Sequence, residues 1–312
     1  MNEFFNDIWR GLNASPKYLQ SKYFYDEAGD AIFKEIMECP EYYLTRCELD
    51  IFSSQSRELA NLITGQIKEF DVVELGPGDC TKSVHLFREL IKQKPDFTYY
   101  PIDISKNVIT SLYKELPAMV PGLEIQGLNG DYFDMLAKMN NISGRSKVVL
   151  FLGSTIGNIP IEENVGFLKA LRSYLSPGDL IIIGFDLKKD PKIVLDAYND
   201  KGGITKRFNL NLLTRINQTF AADFDLNLFE HKPVYCEETG ACKSYLKSVK
   251  EQTVQIADTQ IHFKEGEQIL MEVSQKYTVE QTNAFAKEAG FLPLQHFYDS
   301  KGWFADVLWQ TQ

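Results

Sequence analysis

Asp71-Val-Val-Glu-Leu75-Gly-Pro-Gly-Asp79 decides how this chain of 312 residues is read. The β-branched run over 71–75 predicts a short strand, Gly76-Pro77-Gly78 a tight turn, and Thr81–Lys92 a helix. Glycine lets the backbone turn sharply and come close to a ligand, because no Cβ intervenes. The pattern repeats outward from there. Tyr99–Ile102 predicts a second strand ending at Asp103, followed by a helix opened by Ser105. Leu123–Ile125 predicts a third, leading into Gly130-Asp131; Lys147–Leu152 predicts a fourth and Leu180–Phe185 a fifth. Strands alternating with helices predict an α/β fold with a parallel, doubly wound sheet. In such sheets ligands bind beyond the carboxyl ends of the strands, where the glycine turn falls.

Both flanks have a different texture. The first sixty residues read as helix and loop, with Ile32, Phe33, Ile36 and Met37 on one helical face and Cys39-Pro40 ending that helix. Thr45 followed by Glu48 predicts a capping box at the next helix start. Beyond Asp186, residues 190–225 read as helical, and about 230–287 as antiparallel strands (Lys247–Ile256, Gln260–Phe263, Gln268–Tyr277). A helix over Val279–Ala289 precedes a closing hairpin, Phe291–Tyr298 with Trp303–Trp309, split by Asp299-Ser-Lys-Gly302. The expected division is an N-terminal segment over 1–60, a core over 61–195, an insertion over 196–286, and strands over 287–312 that complete the core sheet.

Thirty-three basic against 43 acidic side chains give a net charge of −10. That balance argues against a nucleic-acid binder, whose affinity rests on Lys and Arg, and against attachment to anionic lipid. No apolar run approaches the roughly 18 residues of a membrane span, and no secretory signal is visible, so a cytoplasmic monomer is expected. Five cysteines without a CxxC pair and four scattered histidines offer no metal-ligand spacing and read as free thiols in a reducing compartment.

Gly76 alone would be weak evidence for a ligand, since tight turns also use glycine. Asp103 at the next strand end can accept both hydroxyls of a ribose, although helix capping would also explain it. Asp131 adds another strand-end carboxylate, and Tyr132 beside it can bound an adenine. The third glycine of a dinucleotide fingerprint is missing, with Lys82 and Ser83 about where it would fall. Acid-lined strand ends suit an adenosyl ligand without phosphates, and S-adenosyl-L-methionine is one.

With these residues in view, the chain resembles the histidine-specific N-methyltransferases of ergothioneine biosynthesis. The markers are Ser15-Pro-Lys-Tyr18, Tyr23-Phe-Tyr-Asp-Glu-Ala-Gly29, Pro40-Glu-Tyr-Tyr-Leu-Thr-Arg46, Val73-Glu-Leu-Gly-Pro-Gly78 and Phe151-Leu-Gly-Ser-Thr-Ile-Gly-Asn158. Ala197-Tyr-Asn-Asp200, Phe208-Asn209, Ala222-Asp-Phe-Asp225 and Glu272-Val-Ser-Gln-Lys276 continue the series. The resemblance implies a Rossmann-like class I methyltransferase domain, with a second α+β substrate-binding domain formed by the N-terminal segment and the insertion. It implies methylation of the α-amino nitrogen of L-histidine, three times over, to give N-α,N-α,N-α-trimethylhistidine (hercynine). It further implies that Gly76, Lys82, Asp103, Asp131 and Tyr132 bind S-adenosylmethionine, with Lys82 on the methionyl carboxylate. Tyr42, Asn158, Tyr198, Glu272 and Ser274 would surround the amino acid, and Tyr25, Tyr42 and Asn158 would serve the chemistry, with Tyr25 or a tyrosine-bound water taking the amine proton.

Residues i and i+2 of a strand point the same way, so Glu272 and Ser274 can accept from and donate to the two nitrogens of an imidazole. Read without the resemblance, the same pair would be the solvated face of an edge strand, Tyr42 and Tyr198 half-buried aromatics, and Asn158 a turn cap. Ser244 stands where the family often carries a methionine against the substrate ring. That substitution motivates a second reading, methylation of another free amino acid or small amine. A third is a catalytically silent, cofactor-binding regulator.

Overall fold

A computed structural model describes residues 3–312. The chain divides into two compact units, Leu44–Lys188 with Tyr277–Gln312 (the sheet unit) and Met1–Tyr43 with Lys189–Lys276 (the second unit). The chain begins with α1 (Glu3–Asn13), β1 (Lys17–Tyr18) and α2 (Glu27–Glu38). The sheet unit follows as α3 (Leu44–Gln66), β2 (Phe70–Leu75), α4 (Ser83–Gln93), β3 (Tyr99–Asp103) and α5 (Lys106–Met119). It continues through β4 (Leu128–Asn129), α6 (Tyr132–Ile142), β5 (Ser146–Phe151), α7 (Asn164–Arg172) and β6 (Leu180–Asp186). The inserted elements are α8 (Pro191–Tyr198), α9 (Ile204–Phe220), β7 (Phe229–Cys236), β8 (Ala241–Ser248), β9 (Gln252–Ile256), β10 (Thr259–Phe263) and β11 (Gln268–Gln275). Then α10 (Val279–Glu288), β12 (Phe291–Tyr298) and β13 (Phe304–Thr311) return to the sheet unit.

Seven strands lie in the order β12-β13-β6-β5-β2-β3-β4. Strands β2 to β6 run parallel, and β13 pairs antiparallel with both β6 and β12. Every residue of β2 and of β6 is buried, as expected of strands covered on both faces. The order reverses between β2 and β5, which marks the crevice at their carboxyl ends as the ligand position of a doubly wound, Rossmann-like sheet. Local signals set the helix starts around it. Ser105 Oγ accepts from the Val108 N–H at 3.3 Å, and Asp131 Oδ1 accepts from the Phe133 N–H at 2.9 Å.

The second unit holds a four-stranded sheet, β1-β11-β8-β7, and a separate hairpin of β9 and β10. Phe24, Ile36, Phe208, Leu212, Ile216, Leu246, Ile269 and Met271 build its core. No helix among the described residues is long and apolar enough to cross a membrane.

Four local expectations change. The third strand is Leu128–Asn129; at 123–125 only Ile125 bridges to Tyr99. The run 247–256 breaks into the end of β8 and all of β9. Thr45 lies inside α3, after its first residue Leu44, and not at the position ahead of it; a capping box forms at Thr278 and Gln281, ahead of α10. The compact units part at 43/44, 188/189 and 276/277, whereas the sequence reading put borders near 60, 195 and 286. The first shift follows from α3, whose buried Ile51, Phe52, Leu59 and Ile63 tie it to the sheet unit.

Candidate active site

In the sheet unit the glycine turn leaves β2 with Gly76 at φ +70° and Gly78 at φ +58°. A Cβ on Gly76 would stand 2.7 Å from the Tyr132 hydroxyl, so position 76 needs glycine for its conformation and for space. Tyr132 begins α6, one residue after Asp131. Burial first, then the charges of Asp103 and Asp131, push its phenol well above the usual range. Gly76, Asp103, Asp131 and Tyr132 therefore converge on one corner. Asp103 Oδ1 accepts from the Ser105 N–H at 2.7 Å, while Ser105 supplies the helix cap; Asp131 both caps α6 and faces this corner.

Glu74 holds the turn from behind. Tyr99 donates to its Oε2 at 2.6 Å and Ser83 to its Oε1 at 3.0 Å, tying β2 to β3 and to the first residue of α4. Burial raises its carboxyl to about 7, against the pull of those two hydroxyls.

Lys82 stands just ahead of α4 with its ammonium on the carboxylate of Glu48, which is 1 % exposed on α3. Glu48 also accepts from the Gly153 N–H at 2.7 and 3.0 Å, in the loop after β5. Burial works against the charge of Lys82, but Glu48 beside it, with Asp306 and Glu74 farther off, holds its pKa above the ordinary value. Asp306 on β13 is fully buried; burial, then the charge of Glu48, drive its carboxyl well above the usual range. Glu48, expected as a capping residue, thus acts as the counter-charge to Lys82. Asn158 ends a short 3₁₀ turn over Thr155–Asn158 and is half-buried. Tyr277 anchors that turn by donating to the Ile156 carbonyl at 3.1 Å while accepting from Asn164 at 2.7 Å.

The second unit gathers the remaining candidates. Tyr42 and Tyr198 meet edge to face at 6.3 Å, and Tyr25 joins through Phe33, 5.6 Å from Tyr25 and 6.5 Å from Tyr42. Tyr198 ends α8, and its hydroxyl lies 2.6 Å from Ser274 Oγ on β11. A register shift between Leu270 and Glu272 precedes the stretch in which Glu272, Ser274 and Lys276 alternate onto one face. Ser244 pairs directly opposite Glu272. The solvated-face alternative is excluded for Ser274, which is 4 % exposed. Glu272 keeps partial access to water yet lies deep enough that burial raises its carboxyl to about 7, with Lys276 opposing.

The sequence reading gave Glu48 only a capping role and assigned none to Glu74, Lys276 or Asp306. Only Lys276 carried a signal, its alternation with Glu272 and Ser274.

Chemically, the sheet unit offers two strand-end carboxylates, a phenol over a glycine turn, and an ammonium held in place. Carboxylates suit ribose hydroxyls and the ammonium suits a carboxylate, so this donor set fits an adenosyl amino acid. The second unit offers a carboxylate and a hydroxyl on one face, beside tyrosine rings suited to a cationic amine.

Comparison with known proteins agrees. The family model described as histidine-specific methyltransferase, SAM-dependent, matches residues 4–311. A histidine N-alpha-methyltransferase of Mycolicibacterium smegmatis is 35 % identical over 96 % of this chain and 92 % of that protein. One of Mycobacterium tuberculosis is 33 % identical over the same shares, 96 % and 92 %. Ergothioneine biosynthesis protein 1 of Schizosaccharomyces pombe is 30 % identical over 88 % of this chain and 36 % of its own length. The chain belongs to the family of histidine-specific, S-adenosylmethionine-dependent methyltransferases.

Proposed function

We propose that this protein methylates the α-amino nitrogen of free L-histidine, in three successive transfers that yield N-α,N-α,N-α-trimethylhistidine. The observation that carries the reading is the carboxylate of Glu272 and the hydroxyl of Ser274 on one face of β11, complementary to the two nitrogens of an imidazole. The names of the two mycobacterial relatives support the same substrate.

Gly76, Asp103, Asp131 and Tyr132 would hold the adenosine, and Lys82 the methionyl carboxylate. Lys82 carries three donors, so a hydrogen bond to Glu48 leaves others for that carboxylate. Bound S-adenosylmethionine supplies a methyl group already activated by its sulfonium charge. The protein is therefore asked for position and for the exclusion of water, not for a nucleophile. Glu272 and Ser274 fix the ring; Tyr42 and Tyr198 present aromatic faces to an ammonium that gains methyl groups. Asn158 is assigned an end of the amino acid backbone. The α-ammonium must lose a proton before each attack, and Tyr25, 37 % exposed, is the group assigned to pass it to water.

One observation favours a second substrate. Ser244, buried opposite Glu272, gives a small polar wall at the ring position, which would loosen the preference for histidine over another free amine.

Mass spectrometry of the purified protein with S-adenosylmethionine and a panel of free amino acids tests both. Three methyl additions confined to histidine are expected. Methylation of another amine in preference would move the substrate to the second reading. No methylation, with cofactor still bound, would overturn the enzymatic reading in favour of a silent regulator.

A further inference from the structure

Lys276 is fully buried, and its Nζ lies 2.7 Å from Ser274 Oγ and 2.9 Å from Tyr198 Oη. The ammonium also sits 4.7 Å from the centre of the Tyr198 ring. With the two hydroxyl oxygens 2.6 Å apart, the three groups close a triangle. An ammonium only donates, so both oxygens accept from it. The contact between the oxygens holds one proton, and the phenol is the stronger acid, so Tyr198 donates and Ser274 accepts. Ser274 Oγ then accepts twice, which uses both its lone pairs, and its own proton points out of the triangle. Ser274 is left as a donor only. Glu272, two residues back on the same face, is an acceptor only once ionised, the form its carboxyl takes above about pH 7. A neutral imidazole carries one N–H and one bare nitrogen, the complement of that pair.

We infer that Lys276 is a positioning residue that fixes Ser274 as a hydrogen-bond donor, so that Ser274 and Glu272 together select a ring carrying one donor nitrogen and one acceptor nitrogen. This deepens the histidine reading and rests on it. Lys276 needs no contact with substrate for this; it acts through Ser274. Its charge also opposes the effect of burial on Glu272.

A double-mutant cycle separates this from a merely structural role. Lys276→Met is expected to raise the histidine KM about tenfold, the worth of one correctly directed hydrogen bond, with KM rather than kcat carrying the loss. In a Ser274→Ala background the same substitution is expected to raise KM less than about twofold, because the group it directs is gone. Affinity for S-adenosylhomocysteine, measured by calorimetry, should be unchanged. Lys276→Gln keeps N–H donors without the charge and is expected to bring the KM back to within about threefold of the unsubstituted protein. Equal effects of Lys276→Met in both backgrounds, or loss of S-adenosylhomocysteine binding, would overturn the inference. Should the Met variant not fold, a Gln variant that binds S-adenosylhomocysteine yet raises the KM by the same factor with and without Ser274→Ala would overturn it equally. If the unsubstituted protein leaves histidine unmethylated, the substrate reading fails and takes this inference with it; histidine methylation with an uncoupled cycle defeats the inference alone.

Discussion

Replacing Glu48 with Ala removes the carboxylate shared by the Lys82 ammonium and the Gly153 N–H. Glu48 is 1 % exposed and the Lys82 side chain 20 %, so the pair is shielded well beyond a surface ion pair. Stripping one partner from a buried pair costs about 3 kcal/mol, and a backbone N–H left without its acceptor adds about 1 kcal/mol. One effect works the other way. Burial, then the charge of Glu48, hold the Asp306 carboxyl well above the usual range. Removing Glu48 takes away the second of these, which eases the charged form of Asp306 beside Lys82 and returns part of the loss. A net destabilisation of about 2 kcal/mol is expected, read as a lower urea midpoint at constant m. Glu48→Gln keeps a carbonyl for the Gly153 N–H and should lose about half as much. A Glu48→Ala protein within about 0.5 kcal/mol of its parent would refute the claim that this carboxylate balances Lys82 and ties α3 to the loop after β5.

Gly76→Ala should lower S-adenosylhomocysteine affinity more than about tenfold and cost about 1–2 kcal/mol of stability, from the left-handed backbone and the contact with Tyr132; near-normal calorimetric binding would remove position 76 from the site. Glu272→Ala should raise the histidine KM at least about tenfold while S-adenosylhomocysteine binding holds, and loss of both would sink its assigned role. The folded protein keeps the Glu74 proton up to about 7, whereas the unfolded chain releases it near 4.5. Its contribution is therefore full below pH 4.5 and falls as the pH climbs to about 7, by about 3 kcal/mol in all. Glu74→Gln should flatten that part of the stability–pH curve, and an unchanged slope would contradict the assignment.

What the sequence revealed was local. The glycine turn, the Asp103 and Asp131 strand ends and the closing hairpin follow from runs of a few residues and their spacing. The T-x-x-E pattern at Thr45 misled because the partners of Glu48 are 34 and 105 positions away, at Lys82 and Gly153. No local pattern reports a pairing of that range. The run 247–256 read as one strand because Val249-Lys250-Glu251, where it turns, contains neither glycine nor proline. Alternation of Glu272, Ser274 and Lys276 was visible; that Tyr198 closes the triangle was not, since it lies 76 residues from Ser274 on another element.

Strand β13 sits between β6 and β12, yet it comes after the whole segment 189–276 in the chain. During synthesis the flank of β6, a run of Leu180, Ile181, Ile182 and Ile183, waits unpaired while those residues are made, a delay on the order of ten seconds. An unpaired apolar edge is a template for pairing with other chains, so the order of the strands exposes the nascent protein at the centre of its own sheet. Slower translation through 189–276 lengthens that exposure. Yield of soluble protein should thus depend on how quickly the insertion is passed and β13 delivered, as well as on the stability of the finished fold.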